Sequence, residues 1–373
     1  AVTSVDFSYA EKLPDERRPF FLEGSGFLSS GMYSLRPFAS IRLDAVDFGA
    51  KFFGRVAPTT DLGVLATCDT SDRQDAVVTV RHSFSPYDSL LFQGVSRTGS
   101  GINNQIGLGV WRLRRGDWTF QSAYARSEDK TGPGEGTDIY LNWSARSWYA
   151  DVNYEQTSRN LRARDGYITF LDRKGFSADA GYWSNWRSGR FRAGSLNLTA
   201  SRFDHLDGSR FYDEFTVHGS LENDHQLAVA AAYSIGRFEA FYDRVGSLSI
   251  SYPTRNQFSN VGLTVSAGRR GGENYHAVGL GATHRFADRL SVGLSSEIVD
   301  MAETVQQHIL TVSYDIARDR GLGGRIVRTH GRTNSYLSLR KSGYGGTEYF
   351  LILGDPNAET FATRLLLKVI QPI

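Results

Sequence analysis

The sequence predicts an all-β chain, a closed antiparallel transmembrane β-barrel of about 20–22 strands behind a short irregular N-terminal segment. Three observations predict it. Apolar and polar residues alternate with a period of two, in segments of roughly ten residues, almost throughout. Turn-forming clusters separate those segments at short intervals. The aromatic residues, 18 Tyr, 23 Phe and 6 Trp, gather at segment ends, where amphipathic rings suit a membrane–water boundary.

Taken in order, residues 1–44 break the alternation. Asp15-Glu16-Arg17-Arg18-Pro19-Phe20-Phe21-Leu22-Glu23-Gly24 is dense in charge, its apolar residues are consecutive, and Met32-Tyr33-Ser34-Leu35-Arg36 follows. From about residue 45 onward the strands begin, which divides the chain into an N-terminal plug segment (1–44) and a barrel (45–373). In Asp75–Ser85, Ala76, Val78, Val80 and Phe84 oppose Val77, Thr79, Arg81 and Ser83. Ile139, Leu141, Trp143 and Ala145 oppose Tyr140, Asn142, Ser144 and Arg146; after Ser147 alone, Trp148, Ala150, Val152 and Tyr154 oppose Tyr149, Asp151, Asn153 and Glu155. Later, Val229, Ala231 and Tyr233 face away from Ala228, Ala230 and Ala232, and Val261, Leu263 and Val265 oppose Gly262, Thr264 and Ser266. Separators such as Arg115-Gly116-Asp117, Leu206-Asp207-Gly208 and Arg270-Gly271-Gly272 fit hairpin turns.

Strand length selects the architecture. Ten residues at ~3.3 Å each, tilted near 40°, span about 25 Å, the height of an outer-membrane apolar band. Strands of soluble sheets run about 5–6 residues, and a propeller needs a recurring repeat of roughly 40–50 residues that is absent here. In lipid no water satisfies an open sheet edge, so closure is required; single-chain bacterial barrels then favour 20 or 22 strands. A cylinder that wide cannot be filled by its own side chains, so water, an inserted segment or another molecule occupies it. A mean hydropathy of −0.34 and the lack of a long apolar run exclude transmembrane helices. A formal charge of +2 gives no pull toward nucleic acid. The lone Cys68 excludes a disulfide framework and a cysteine-built metal site. The start at Ala1 rather than Met reads as a processed or excised form.

The search for chemistry finds no zinc-protease helix motif, no Walker loop, no nucleophile elbow and no dinucleotide fingerprint, so no enzyme, cofactor or metal is expected. The eight histidines show no helical metal spacing. A membrane-embedded hydrolase requires a Ser/His/acid cluster gathered at one rim by the fold. Placing the apolar rows outward leaves Arg81, Arg146, Asp151, Glu155, Arg210, Glu214, Arg237 and Glu239 as lumen-facing candidates. Their signs are mixed, which favours cross-strand pairing over a single-sign selectivity ring. In the N-terminal run, Glu16, Arg17, Arg18 and Glu23 are candidates for ion pairs, and Phe20, Phe21 and Leu22 for anchoring the segment at the periplasmic mouth.

The run Asp15–Gly24 resembles the signature of an uncharacterised bacterial outer-membrane barrel family. There a PE(K/R)RPFFLEG element precedes a YSRRIG-like strand and a GAKLTGR-like strand, matched here by Tyr33–Arg36 and Gly49–Arg55. Leu35-Arg36-Pro37 departs from the paired arginines of that family, and the C-terminal Gln371-Pro372-Ile373 departs from the terminal aromatic common in outer-membrane strands. In the family the barrel commonly follows a domain similar to carbohydrate-binding family 9, which this chain does not include. The resemblance implies a Gram-negative outer-membrane location and a link to glycan handling, with no established reaction. The resulting expectation is a passive, porin-like channel or transport conduit in contact with outer-membrane lipids and saccharide solutes. The alternatives are a scaffold for outer-membrane or periplasmic partner proteins and, third, the hydrolase.

Overall fold

The computed structural model of the chain describes residues 13, 16, 18–43, 46–70, 72–99, 101–343, 346–355, 358 and 360–370. Among the described residues it is nearly all-β, with 21 strands in one antiparallel sheet. The number falls inside the expected range but is odd. Two compact units divide the described residues: those through Tyr182 with Leu198–Phe215, and Trp183–Asn197 with Thr216 onward.

The first unit opens with two single-turn helices, α1 (Pro19–Leu22) and α2 (Ser25–Leu28), then the short strand β1 (Leu35–Arg36) and a 3-10 turn at Ser40–Arg42. Pro19 starts α1 where its missing N–H costs nothing. Gly24 joins the helices at φ 65°, a left-handed conformation that favours glycine. Then come β2 (Phe48–Ala57), β3 (Thr60–Cys68), β4 (Gln74–Ser85), β5 (Asp88–Gly99), β6 (Ile102–Arg115), β7 (Trp118–Asp129), β8 (Gly132–Ser144) and β9 (Trp148–Thr157). Each pairs antiparallel with the next. The long connection after β9 contains β10 (Tyr167–Ile168), which pairs outside the main sheet with β1. β11 (Arg173–Asn185) then pairs with β9.

β12 (Phe191–Asp204) and β13 (Arg210–Asn223) are shared between the units. The second unit continues with β14 (Ala228–Phe238), β15 (Phe241–Tyr252), β16 (Asn260–Arg270), β17 (Glu273–Phe286) and β18 (Leu290–Asp300). It ends with β19 (Thr304–Ala317), β20 (Arg320–Thr329), β21 (Arg332–Ser342), β22 (Glu348–Gly354) and β23 (Leu365–Ile370). It too is an antiparallel meander.

Both units expose apolar rows on several strands. Ile139, Leu141 and Val152 are exposed in the first, and Leu248, Ile250, Leu263, Val265, Leu337 and Leu339 in the second. A water-soluble sheet buries such rows; a lipid-facing one leaves them bare. Trp111 and Trp118 lie on either side of the β6–β7 turn, and Trp143 and Trp148 on either side of the β8–β9 turn, a pattern that suits an interfacial aromatic belt.

Candidate functional site, a plug on the inner face of the first unit

The face opposite the apolar row departs from the expected polar lining. From β3 to β7 it carries Leu65, Val77, Leu91, Val95, Ile106, Leu108, Val110, Ala123 and Ala125, all buried. They form one core with Phe21, Leu28, Met32, Leu35 and Leu43 of the N-terminal segment and Leu161 of the β9–β11 connection. The apolar patch exists because a segment of the same chain covers it. We call this face inner. Backbone approach is close: a Cβ on Gly63 of β3 would lie 2.4 Å from the Phe27 carbonyl oxygen.

The polar side chains of this face mostly serve the plug backbone, whose short helices leave carbonyls unpaired. Lys51 of β2 donates to the carbonyls of Phe20 (2.5 Å) and Glu23 (2.6 Å) and pairs with the Glu23 carboxylate at 3.1 Å. Its side chain is only 8% exposed. Gln93 donates to Leu28 O at 2.6 Å, Arg112 to Ser30 O at 2.9 Å and Arg81 to Ser29 O at 3.4 Å. Asn104 of β6 holds the second loop, donating to Arg162 O at 3.3 Å and accepting from Arg164 N at 3.1 Å.

Two charge clusters pin the plug. In the first, Asp75 accepts from Arg73 (3.1 Å), Arg97 (3.0 Å) and the Thr67 hydroxyl (3.1 Å). Arg97 also reaches Asp165 of the β9–β11 connection at 2.5 Å and the Arg42 carbonyl at 3.2 Å. Burial and the neighbouring Asp75 carboxylate push the Asp165 carboxyl up to about 7, against the pull of Arg97. In the second, Glu155 pairs with Arg173, whose guanidinium stacks on Phe203 at 4.5 Å and Phe170 at 5.0 Å.

The residues singled out from sequence distribute as follows. Glu16 and Arg18 pair at 2.7 Å; Arg18 also donates to Leu43 O and Ser40 O, both at 2.6 Å, and covers the Phe21 ring at 4.3 Å. Arg17 lies outside the described residues. Phe21 is buried and packs edge-on against Phe20 at 5.0 Å, whereas Leu22 is half exposed. Lys51 therefore ties two of the matched stretches, Asp15–Gly24 and Gly49–Arg55, to each other. Arg81, Asp151 and Glu155 share the inner face with the plug contacts. Glu214 accepts from the Tyr212 hydroxyl on the row of β13 opposite the exposed Phe215.

The other four lie at strand ends or in turns. Arg146 is in the β8–β9 turn, exposed, because β8 stops at Ser144 rather than at residue 146. Arg210 is the first residue of β13 and pairs with Asp213 at 3.6 Å. Arg237 shares the parity of Val229, Ala231 and Tyr233, the apolar row, and hooks onto the Glu239 carbonyl at 2.6 Å. Glu239 itself occupies the following turn at φ 50°. In the turns that hold Arg146 and Glu239 the alternation no longer applies.

Beyond the plug contacts the inner face is acidic. Asp151 of β9 stands directly opposite Asp179 of β11, and Asn142 of β8 is also opposite Asp151. Tyr140 and Tyr149 share this face, and Thr199 donates to Asp179 at 2.5 Å. Of hydrolytic chemistry there are only parts. Ser259 meets His284 Nδ1 at 2.9 Å and Ser296 meets His308 Nδ1 at 2.8 Å. Among the described residues neither imidazole has a carboxylate on its second nitrogen, and no group of three His, Cys, Asp or Glu is placed to hold a metal ion.

No family model and no curated protein matches the chain. Among solved structures it is similar to the P pilus usher (PapC) translocation pore: 16% identity over 74% of this chain and 59% of that one, TM-score 0.39. The chain thus spans less than two thirds of that pore's length. A variant of the Rh. blastica porin matches at 13% identity over 70% of this chain and 95% of its own, TM-score 0.34. The ferric yersiniabactin uptake receptor FyuA from Yersinia pestis matches at 10% identity over 86% and 68%, TM-score 0.35. Superpositions of this quality assign no role.

Proposed function

We propose that the chain is a bacterial outer-membrane conduit whose passage is narrowed by its own N-terminal segment. One observation carries the reading: residues of that segment and of the β9–β11 connection fill the inner face of β3–β7 as a packed core. The bare apolar rows supply the membrane side of the argument. Selection would follow from passage width and wall charge, with no covalent step. Saccharides are the solutes that the family resemblance implies. Tyr140 and Tyr149, with Asp151 and Asn142 on the same face, offer the ring and acceptor surfaces that sugars use.

The test is single-channel conductance in planar bilayers of the intact chain and of a chain lacking residues 1–44. We expect small or rare steps from the intact chain and steps larger by about tenfold from the truncated one, the contrast between plugged and water-filled barrels. Equal conductance would remove the plug from the passage. Silence from both would favour a sealed scaffold that assembles with partner proteins.

A further inference from the structure

The second unit carries a dip in its lipid-facing row, and its cause is legible in the strands. Ala282 of β17 lies opposite Val261 of β16 on one side and Leu294 of β18 on the other. A methyl group between longer side chains leaves a groove of about 420 Å³, bounded by Tyr252 and Phe286 and closed at its polar end by Ser259 and His284. The groove sits where β15 and β17 end, beside exposed Tyr252, Phe258 and Phe286, the depth at which aromatic rings meet headgroups.

Ser259 Oγ accepts from the Arg285 backbone N–H at 3.5 Å and shares a hydrogen bond with His284 Nδ1 at 2.9 Å. In the tautomer in which the hydroxyl donates to Nδ1, the ring carries its proton on Nε2. The Phe286 ring fixes the imidazole edge-on at 4.2 Å. Among the described residues Nε2–H has no acceptor. An apolar trough ending in one oriented N–H donor, open to the bilayer, matches a molecule with an acyl chain and an acceptor oxygen at its head.

We propose that this groove is a specific site for a bilayer glycerophospholipid. One acyl chain lies over Ala282 between Val261 and Leu294, and an ester or phosphate oxygen accepts from His284 Nε2. The proposal rests on the reading of the chain as a membrane barrel. Continuity of the groove with the exposed apolar rows selects lipid over any other occupant.

The probe is a phosphatidylethanolamine with a photoactivatable diazirine in its acyl chain, at trace level in nanodiscs of phosphatidylcholine holding the full chain. Adducts are mapped by peptide mass spectrometry. We expect those on residues 281–294 to exceed those on the equally apolar Leu337 and Leu339 row by about fivefold, a binding preference of about 1 kcal/mol. Ala282→Trp, which fills the dip on a face that tolerates bulk, should abolish the excess, and His284→Leu should lower it. Equal labelling of all apolar rows, unchanged by Ala282→Trp, would overturn the site. Absence of adducts on every row would overturn the membrane reading beneath it.

Discussion

In the first unit the face opposite the exposed apolar row carries Leu65, Val77, Leu91, Ile106 and Leu108. In the second unit the corresponding row reads Ala230, Ser249, Thr264 and Gly279, neighbours across β14–β17. Large apolar side chains on a wall are stable only when something covers them, and the first unit supplies its own cover from residues 18–43 and 158–172. Small hydroxyls and glycines need no cover, since water or one another satisfies them, as Ser249 and Thr264 do at 2.9 Å. A wall's side-chain size therefore reports whether a partner segment belongs on it.

The sharpest way to break this comparison is to place the same charge on both walls. Leu65, 1% exposed, abuts the plug core. Leu65→Asp buries a carboxylate without a partner and should weaken plug docking by about 3–5 kcal/mol, while Thr264→Asp should change stability by under about 0.5 kcal/mol. Limited proteolysis reads the outcome as new cleavage between residues 18 and 43 in the first variant alone. Equal protection in both would mean that the two walls do not differ in what they hold.

The next effect concerns the ion cluster and depends on pH. Arg97 is the contact shared by Asp75 and Asp165, so Arg97→Ala leaves two buried carboxylates facing each other, at a cost of about 2–4 kcal/mol near neutral pH. Asp165 has a raised carboxyl pKa in the folded chain, near 7, against about 4 when unfolded. Between those values the folded state binds the extra proton. Its contribution to docking is thus full below pH 4 and lost as pH rises through about 7. Hydrogen exchange of residues 158–172 should be slower at pH 5 than at pH 8, and Asp165→Asn should flatten the difference. The Arg97→Ala defect should be smaller at pH 5. A defect that grows on acidification would reverse the assignment.

Much of the sheet was legible in the sequence because lipid on one side imposes a period of two on every strand. The rows Ile139, Leu141, Trp143 and Val261, Leu263, Val265 could be read directly. The inner face of β5 and β6 could not. In β6 the outward positions Gly107 and Gly109 are bare while Ile106, Leu108 and Val110 point to the plug, the reverse of a rule that sends apolar residues to lipid. The available signal was a second apolar row in consecutive strands, together with the unalternating run Pro19–Leu22 that could cover it. Arg146, Glu239 and Arg237 were misplaced for a different reason: β8 stops at Ser144 and β14 at Phe238, which leaves Arg146 and Glu239 in turns, while Arg237 has the parity of the apolar row Val229, Ala231 and Tyr233.

The smallest expected effect sharpens the comparison on the uncovered part of the first wall. Asp151 and Asp179 face each other across β9 and β11, and among the described residues no cationic side chain pairs with either. Two carboxylates at a passage wall raise the local concentration of cations. In the plug-deleted chain, Asp151→Asn with Asp179→Asn should lower the cation-over-anion permeability ratio by roughly two- to fivefold, equivalent to about 0.5–1 kcal/mol of screened interaction. Replacing Ser249 and Thr264 by Ala on the second wall should leave that ratio unchanged. Reversal potentials in a salt gradient measure both. A shift from the Ser249 and Thr264 pair as large as that from the carboxylates would show that selectivity follows wall polarity in general. A shift confined to the carboxylates would place it at β9 and β11, beside the plug rather than along the small-residue wall.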